Sequence, residues 1–336
     1  MTRSASTLPP VNRLREIAGY ASRAANTHNT QPWELRYGSD RVEVGWRTDD
    51  LLGPGDPSHR DLRLSLGAYV ETFLIAAAEA GTAVDFVPDL DIAATRVGWL
   101  RPADRPYATE FGVSEIAERR VWRGAWDPEP VAAHVVTAAQ ETALASGFRL
   151  TTMSTATARP LVGRASRWFF GDRGITAELM HWTRLGPRHP DYHRDGLNDV
   201  MLVLSRVERA LMGLFLAPAV YRALRPVGLA RLLATSSAGS TAGDGIVMVM
   251  LGKGEEKADE VEAGRLLTRL WLGLHRQGIY VHPQSQVIDC PHTVRDVRRL
   301  CGAEEGERPL AFFRVGTPAT DPSRRPRHPR RDLPPH

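Results

Sequence analysis

The most informative stretch of the sequence is Asn-Thr-His-Asn-Thr-Gln-Pro-Trp, residues 26–33. Its amide and hydroxyl side chains offer both hydrogen-bond donors and acceptors, which suits the polar edge of a planar heteroaromatic ligand. The same residue types also favour an elaborate turn, in which His28 and Asn29 bond to nearby backbone groups. Physical chemistry alone therefore leaves two interpretations open, a ligand-gripping loop and a local turn.

Regular secondary structure is predicted on both sides of this loop. Residues 11–25 carry apolar side chains at helical spacing and predict an opening helix. Residues 33–46 alternate around a Gly-Ser-Asp turn, which is typical of a β-hairpin. An alanine-rich apolar helix is predicted over 62–80, with Gly81 as its C-terminal cap. Two short strands follow, over 84–87 and 95–100.

The second half of the chain repeats this order of elements. Helices are predicted over residues 114–123, 130–146 and 259–277, and strands over 148–153, 245–252 and 311–315. Ser114 stands where it can cap the first of these helices. A long apolar helix followed by a Gly turn occurs twice, at 62–81 and 259–278, which indicates two similar halves packed on each other. Residues 160–235 interrupt the second half as a long, mostly helical insertion.

Composition indicates an ordinary globular protein. Of the 336 residues, 42% are hydrophobic and 24% charged. The longest apolar run, 210–220, is interrupted by Pro218 and is shorter than the roughly 20 residues of a bilayer span. No basic start joins an apolar stretch, so we expect no secretory signal, no membrane partner and a cytoplasmic location. Two isolated cysteines, Cys290 and Cys301, predict neither a disulfide framework nor a zinc site, and no metal is expected.

The net charge of +4 comes almost entirely from arginine, since Lys253 and Lys257 are the two lysines of the sequence. The dense basic run, 324–331, lies among prolines and lacks interleaved aromatic side chains. It indicates a solvated tail or a ligand-closing arm, and no nucleic-acid partner is expected. Arginine nevertheless suits phosphate, because its rigid fork of donors matches the geometry of that anion.

Residues 28–36, HNTQPWELR, resemble the (A)PS-x-HNTQPW-x-F motif of the Acg-type FMN-binding oxidoreductases, a subgroup of the nitroreductase superfamily. The resemblance implies an α+β fold with mainly antiparallel sheets and long helices. It also implies two fused nitroreductase-like halves, 1–112 and 113–336, which form an intrachain pseudo-dimer with a helical insertion or lid at about 160–235. The loop residues implied to hold the flavin ring are Asn26, Thr27, His28, Asn29 and Gln31. One departure is Ala25-Asn26, where the family has Pro-Ser.

Two further segments support the resemblance. Residues 56–68, DPSHRDLRLSLGA, are similar to the family's D-P-x-x-R-E…S-x-G-A segment. Residues 116–123, IAERRVWR, resemble its R-R-[ST]-x-R phosphate-binding turn, with Val121 in place of Ser or Thr. A dianionic phosphate needs several cationic donors close together, which agrees with this implied role. The residues implied here are Arg119 and Arg120 at the phosphate and Arg123 near the pyrimidine edge of the ring. An exposed basic helix face is the alternative interpretation.

The last two segments lie near the C-terminus. Residues 278–286, GIYVHPQSQ, are similar to the nitroreductase G-[IL]-x-x-x-P…Q segment beside flavin N5, where a backbone donor would stabilise growing charge. This implies contacts from His282, Pro283, Gln284 and Ser285. The family ends with R-x-G followed by P-R-R-P-L, whose arginines return to the phosphate. The counterparts here are Arg314 and one of two tail pairs, of which Arg324 and Arg325 are preferred over Arg330 and Arg331.

Together these features predict an FMN-dependent NAD(P)H oxidoreductase that passes electrons to a nitroaromatic or quinone acceptor. No G-x-G-x-x-G motif follows a predicted strand, and no side chain stands out as a catalytic acid, base or nucleophile. The alternative is an FMN-sequestering protein, in which the apolar segment 206–234 covers the ring as a lid. A third possibility is a helical binding protein whose HNTQPW match is accidental. Either a monomer or a homodimer is compatible with fused halves.

Overall fold

The structure is a computed structural model that describes residues 9–238, 241, 243–253 and 257–322. The α-helices are α1 Val11–Ala21, α2 Arg60–Glu79, α3 Val113–Glu118, α4 Ala133–Ala145, α5 Thr155–Gly171, α6 Arg173–His181, α7 Arg206–Phe215, α8 Pro218–Leu224, α9 Leu229–Ala238, α10 Lys257–Arg276, α11 Gln286–Asp289 and α12 Thr293–Leu300. The strands are β1 Trp33–Tyr37, β2 Val42–Trp46, β3 Val84–Asp91, β4 Arg96–Pro102, β5 Arg149–Ser154, β6 Thr183–Arg184, β7 Leu197–Asn198, β8 Ile246–Lys253, β9 Tyr280–Pro283 and β10 Glu307–Gly316. The expected α+β class is confirmed.

Two four-stranded sheets repeat one topology. Their strand orders are β1-β2-β4-β3 and β5-β8-β10-β9, and every neighbouring pair in them is antiparallel. In each sheet the second strand leads into a 20-residue helix, α2 or α10, which returns the chain to the far edge of the sheet. The first sheet lies within residues 33–102 and the second within 149–316.

Helices α2 and α10 cross at two glycines. A Cβ atom on Gly67 would lie 1.9 Å from the carbonyl oxygen of Val261, and one on Gly264 would lie 2.0 Å from that of Leu64. Glycine is therefore required at both positions for the helices to approach this closely. Leu64 and Val261 each precede the glycine of their own helix by three residues, so the contact is reciprocal, as in an isologous dimer interface.

Helix α2 is buried over almost its whole length, which agrees with its apolar and alanine-rich sequence. It ends before Gly81, whose φ of +65° reverses the chain as the sequence predicts. Both sheets have apolar cores of their own. Representative members are Leu14, Val44 and Phe73 for the first sheet, and Ala143, Met250 and Leu270 for the second. The other face of the second sheet is covered by α5, α11 and α12 through a further apolar cluster.

The helix predicted over residues 114–123 is shorter than expected. Helix α3 ends at Glu118, and Gly112 rather than Ser114 is its N-cap, with the Gly112 N–H donating to the Glu115 carboxylate at 2.9 Å. Arg119 leaves the helix with φ −55° and ψ 132°. Residues 119–123 then follow β9, where the N–H of Trp122 donates to the Val281 carbonyl at 2.9 Å. Pairing with a distant strand thus replaces local helix propensity, and the alternative of a basic helix face is wrong.

The predicted insertion is present between β5 and β8, and it holds α5 to α9 and the short β6–β7 pair. Within the described chain no single helix has the length and apolarity to cross a bilayer. The helix pair 206–215 and 218–227 meets that test jointly but bends by 74° at its break. The predicted tail arginines, Arg324 and Arg325, lie outside the described residues.

Candidate functional site

A cavity of about 300 Å³ lies beside the crossing of α2 and α10. Its walls come from residues 22–29, from α2 and α10, from the extended segment 119–123, and from the segments around β9 and β10. The residues predicted from the sequence that line it are Asn26, Thr27, His28, Asn29, Arg119, Arg120, Arg123, Pro283 and Ser285. Segments far apart in the sequence therefore meet at one site.

The N-terminal loop of the cavity has a strained backbone. His28, Asn29 and Gln31 all have φ between 51° and 55°, in the left-handed region that side chains with a Cβ atom rarely adopt. The loop is held closed by Asn26, whose Oδ1 accepts the N–H of Gln31 at 2.9 Å. Strain of this kind persists only where surrounding contacts enforce it, and it is common in binding sites. The two interpretations of this loop are therefore compatible, because the elaborate turn also forms the cavity wall.

Two arginines give the cavity a positive charge that no carboxylate in the described chain neutralises. Burial lowers the pKa of both Arg119 and Arg123 to about 10, and no acidic group offsets this. Arg119 donates to the Arg23 carbonyl at 3.0 Å, and Arg123 reaches the Met201 carbonyl at 3.5 Å. Carbonyl contacts offset only part of the cost of desolvating a guanidinium group. This wall is therefore suited to an anionic ligand.

Two further polar groups on the cavity wall lack hydrogen-bond partners among the described residues. They are Nδ1 of His28 and Nε1 of Trp271. Burial, followed by the charge of Arg123, lowers the pKa of His28 to about 4, so its imidazole is neutral at pH 7. Buried polar atoms are nearly always hydrogen-bonded in proteins, so these two are available to a polar ligand.

A cluster of carboxylates, which the sequence reasoning did not identify, forms the opposite wall. Asp61 and Asp289 line the cavity and share the guanidinium of Arg60, whose Nη2 lies 2.6 Å and 2.9 Å from them. Thr27 donates to Asp61 at 3.2 Å. Asp56 lies behind them and accepts the N–H of Leu62 at 2.9 Å. Three carboxylates thus surround one buried arginine.

The protonation of this carboxylate cluster follows from its charge imbalance. Burial and the charge of Asp61 raise the pKa of Asp56 to about 7. Burial raises the pKa of Asp289 to about 8, with the charges of Asp61 and Asp56 acting in the same direction and Arg60 opposing them. Burial also acts on Asp61, but Arg60 and the hydroxyl donors hold its pKa below the ordinary value. The cluster therefore keeps protons near neutral pH.

Four residues predicted from the sequence do not line the cavity. Gln31 instead donates through Nε2 to the Arg194 carbonyl at 2.8 Å. The backbone N–H of Gln284 donates to the Phe312 carbonyl at 2.9 Å, and Arg314 stacks 4.8 Å from the centre of the Trp126 ring. His282 pairs with Arg314 in the sheet, and burial lowers its pKa to about 3. These four residues are therefore absent from the cavity lining in the described chain.

The insertion does cover the cavity, but not through its predicted segment. The lining side chains that it supplies are Phe169, Leu197 and Met201, and none comes from the described part of 206–234. Asn29 holds this cover by exchanging two hydrogen bonds with Gly196, at 3.2 Å and 3.3 Å. The expectation that 206–234 closes the site is therefore wrong, since its apolar side chains largely face solvent.

The two crossing helices supply the remaining wall, which the sequence reasoning also missed. The lining residues are Leu64, Ser65 and Ala68 from α2 and Leu267, Thr268 and Trp271 from α10. The repeat of a long helix followed by a Gly turn was the available signal, because it predicts two packed helices but not which face lines a cavity.

Comparison with known proteins finds partial similarity to proteins named as nitroreductases. No protein-family model matches the chain. Over 110 residues, 32% of this chain, it is 31% identical to provisionally named NAD(P)H nitroreductases from two strains of Mycobacterium tuberculosis. The match spans 28% of the length of those relatives. These names agree with the resemblance to the nitroreductase superfamily, but they do not identify the Acg-type subgroup.

Among solved structures the chain is similar to the FMN-dependent nitroreductase NfnB from Mycobacterium smegmatis in complex with NADPH. That similarity has 18% identity and a TM-score of 0.35, and it covers 61% of this chain and 86% of NfnB. A nitroreductase with bound FMN from Desulfitobacterium hafniense is similar at 12% identity and a TM-score of 0.41, with 67% and 96% of the two chains covered. The solved structures similar to this chain thus include nitroreductases with bound FMN.

Proposed function

We propose that the chain is an FMN-binding, nitroreductase-like oxidoreductase of the Acg type. The observation that carries the proposal is the meeting, in one cavity, of the strained loop around His28 with Arg119 and Arg123, two half-buried cations that no described carboxylate neutralises. The partial sequence match to named nitroreductases supports the same assignment. FMN combines a phosphate with a polar planar ring. The arginines are suited to the phosphate, and the loop around His28 is suited to the ring.

The residues of the cavity fit the cofactor group by group. Arg119, with Arg120 beside it, would hold the phosphate, because charge-assisted bonds to guanidinium are the strongest that phosphate forms in proteins. Arg123 would lie at the ring, where its positive charge favours the reduced flavin. His28 and Trp271 would supply polar atoms that lack protein partners among the described residues. When bound, FMN would accept hydride from NAD(P)H and pass electrons to a nitroaromatic or quinone acceptor.

We further propose that residues 1–112 and 113–336 are two related halves that form a pseudo-dimer within one chain, located in the cytoplasm. The shared strand order and the reciprocal contact of Gly67 and Gly264 support this division. A fused pair of halves would build its flavin site without a second subunit, so a monomer is sufficient, and a homodimer remains compatible.

The experiment that tests the function mixes FMN-loaded protein anaerobically with NADPH and follows the flavin absorbance. Rapid bleaching, reversed by a nitroaromatic or a quinone, is expected. If the oxidised absorbance persists while FMN stays bound, the oxidoreductase is contradicted and the alternative, a flavin-sequestering protein, is favoured. The cover formed by Phe169, Leu197 and Met201 is the observation on which that alternative rests.

A further inference from the structure

Helices α7 to α9 present an unusual concentration of exposed apolar side chains. Eleven large hydrophobic residues are exposed in the described chain. Six of them lie in one segment, residues 206–232, and they are Val207, Leu211, Leu214, Leu224, Val227 and Leu232. The other five are scattered over the rest of the molecule. A contiguous group of this kind, unlike single exposed residues, indicates an interaction surface.

The apolar side chains of α7 form one helical face. Val207, Leu211 and Leu214 are four and three residues apart, which places them on one side of the helix. Their exposed fractions are 69%, 46% and 53%, and no residue of α7 is buried. The apolar face of an amphipathic helix normally packs on a core, but no described part of the chain covers this one. Val227, after α8, is 78% exposed and extends the surface.

The charge of the same segment is strongly positive. Residues 206–232 contain five arginines, Arg206, Arg209, Arg222, Arg225 and Arg231, and a single acidic residue, Glu208. Arg206, Arg222 and Arg231 are exposed beside the apolar side chains. Arginine can lay its stem on apolar surroundings while its guanidinium group meets an anion. A surface that is both apolar and cationic is complementary to an anionic lipid interface.

A surface hollow of about 720 Å³ lies within this segment. Its lining includes Arg167, Arg225 and Arg231, together with Val227, and contains no Asp or Glu among the described residues. Three guanidinium groups around one hollow match the needs of a phosphate group. The adjacent exposed Val227 and Leu232 would meet the acyl region below such a headgroup. The hollow is separate from the flavin cavity and shares no lining residue with it.

We propose that residues 206–232 dock on the surface of an anionic phospholipid membrane, with lipid phosphates held by the three arginines of the hollow. The 74° bend between the helices rules out one straight span and allows both to lie along the interface. A second copy of the chain is a poorer occupant, because a self-complementary contact would bring two surfaces of the same positive charge together. This proposal departs from the expectation of no membrane partner, which rested on the lack of a spanning segment and of a secretory signal.

The test is sedimentation of the full chain with vesicles. The vesicles contain phosphatidylcholine alone, or with about one third phosphatidylserine, at about 0.15 M salt. Binding to the anionic vesicles alone is expected. Leu211→Asp and Val227→Asp should each weaken binding by about tenfold or more, as should Arg225→Glu combined with Arg231→Glu. The matched control is Leu144→Asp in α4, where a leucine 72% exposed lies outside the segment, and its binding should be unchanged.

Three results would overturn the proposal. The first is no binding to either vesicle type, and the second is equal binding to both. The third is equal loss in the Leu144→Asp control. Sedimentation equilibrium without vesicles is the second measurement. A dimer that Leu211→Asp disrupts, with no vesicle binding by the wild type, would assign the surface to a second copy instead. Because vesicle binding needs no flavin, its failure would leave the proposed oxidoreductase untouched.

Discussion

The crossing of α2 and α10 has two equivalent faces, one of which lines the cavity while the other is filled by side chains. On the cavity face, Ala68 follows Gly67, and Thr268 stands four residues after Gly264. On the other face, Arg265 follows Gly264 and Glu71 stands four residues after Gly67. These two residues therefore occupy the positions that Ala68 and Thr268 occupy on the cavity face. One backbone arrangement therefore gives either a binding cavity or an ion network, and the side chains at two positions decide which.

The filled face neutralises its charges internally. Glu71 is fully buried and lies 2.9 Å from Nε of Arg265 and 3.1 Å from Nη1 of Arg269, while Tyr107 donates to it at 2.7 Å. Burial works against the charge of Arg265, but Glu71 and Glu262 more than compensate and hold its pKa above the ordinary value. Arg119, in the cavity, shows the opposite shift because no carboxylate offsets its burial. Charge left without a carboxylate partner thus distinguishes the candidate site from its counterpart.

The strongest test of this comparison introduces the counterparts of Arg265 and Glu71 into the cavity face. Ala68→Arg combined with Thr268→Glu puts the ion pair of the filled face into the cavity. We expect complete loss of FMN binding, measured by flavin fluorescence titration, with the far-ultraviolet circular dichroism retained. Ala68→Ser is the matched control, because it changes the same position without filling the space, and it should keep binding. Wild-type affinity in the double variant would refute the equivalence of the two faces.

Removal of Glu71 tests the filled face. Glu71→Ala leaves Arg265 and Arg269 without their shared buried carboxylate, so the free energy of unfolding should fall by about 3–5 kcal/mol. Urea denaturation measures this change. Glu34→Ala, which removes a half-exposed partner of Arg36, should cost about 1 kcal/mol or less. Equal costs for the two variants would mean that the buried network does not stabilise this face.

Arg119→Ala tests the role of the cavity face in FMN binding. Loss of a charged hydrogen-bond partner should weaken FMN binding by about 2–3 kcal/mol, while the unfolding free energy of the FMN-free protein changes little or rises. Arg101→Ala is the control, because Arg101 is exposed and lies outside the cavity lining. Titration of both variants with FMN measures the two affinities, and that of Arg101→Ala should equal the wild-type value. Unchanged affinity in Arg119→Ala would place the phosphate elsewhere.

The smallest expected effect is a pH dependence of stability. Asp56 and Asp289 have folded pKa values of about 7 and about 8, above the unfolded value of about 3.9. Between about pH 7 and 8 the folded chain therefore binds more protons than the unfolded chain, and its stability falls as the pH rises. His28 and His282, whose pKa values are lowered by burial, act in the opposite direction, and their effect fades above about pH 7, where unfolded histidine is mostly neutral.

Urea denaturation at three pH values in this window measures the slope, which should approach about 1 kcal/mol per pH unit. Asp289→Asn should flatten the slope, whereas Asp296→Asn should leave it unchanged, because ion pairs hold the pKa of the partly exposed Asp296 below its ordinary value. A slope of the same size in Asp289→Asn would show that the carboxylate cluster does not hold the extra proton.

Much of the fold could be predicted from the sequence, because its signals are local. The hairpin around Gly38, the apolar helix α2 and the turn at Gly81 all follow from spacing and turn chemistry. The segment 119–123 could not, because its conformation is set by pairing with Val281, about 160 residues away in the sequence. The close approach at Gly67 and Gly264 was equally hidden, since either glycine alone is an ordinary helix residue.

The site was predictable where residue type suffices. The amide-rich loop and the clustered arginines, together with the family resemblance, predicted a phosphate-bearing ligand, and seven residues of these two segments line the cavity. Asp289 and Met201 could not be found in this way, because each reaches the cavity through tertiary packing of an otherwise unremarkable segment. Arg314 was predicted to contact the ligand and does not line the cavity, because this motif arginine stacks on the partly buried ring of Trp126.

The stoichiometry of FMN binding tests the central claim most directly, because in the described chain one face of the helix crossing lines the cavity while the other carries the Glu71 ion network. Protein saturated with FMN, freed of excess ligand and denatured, should release one flavin per chain. Release of two flavins would contradict the inequality of the two faces, and release of none would contradict the site itself.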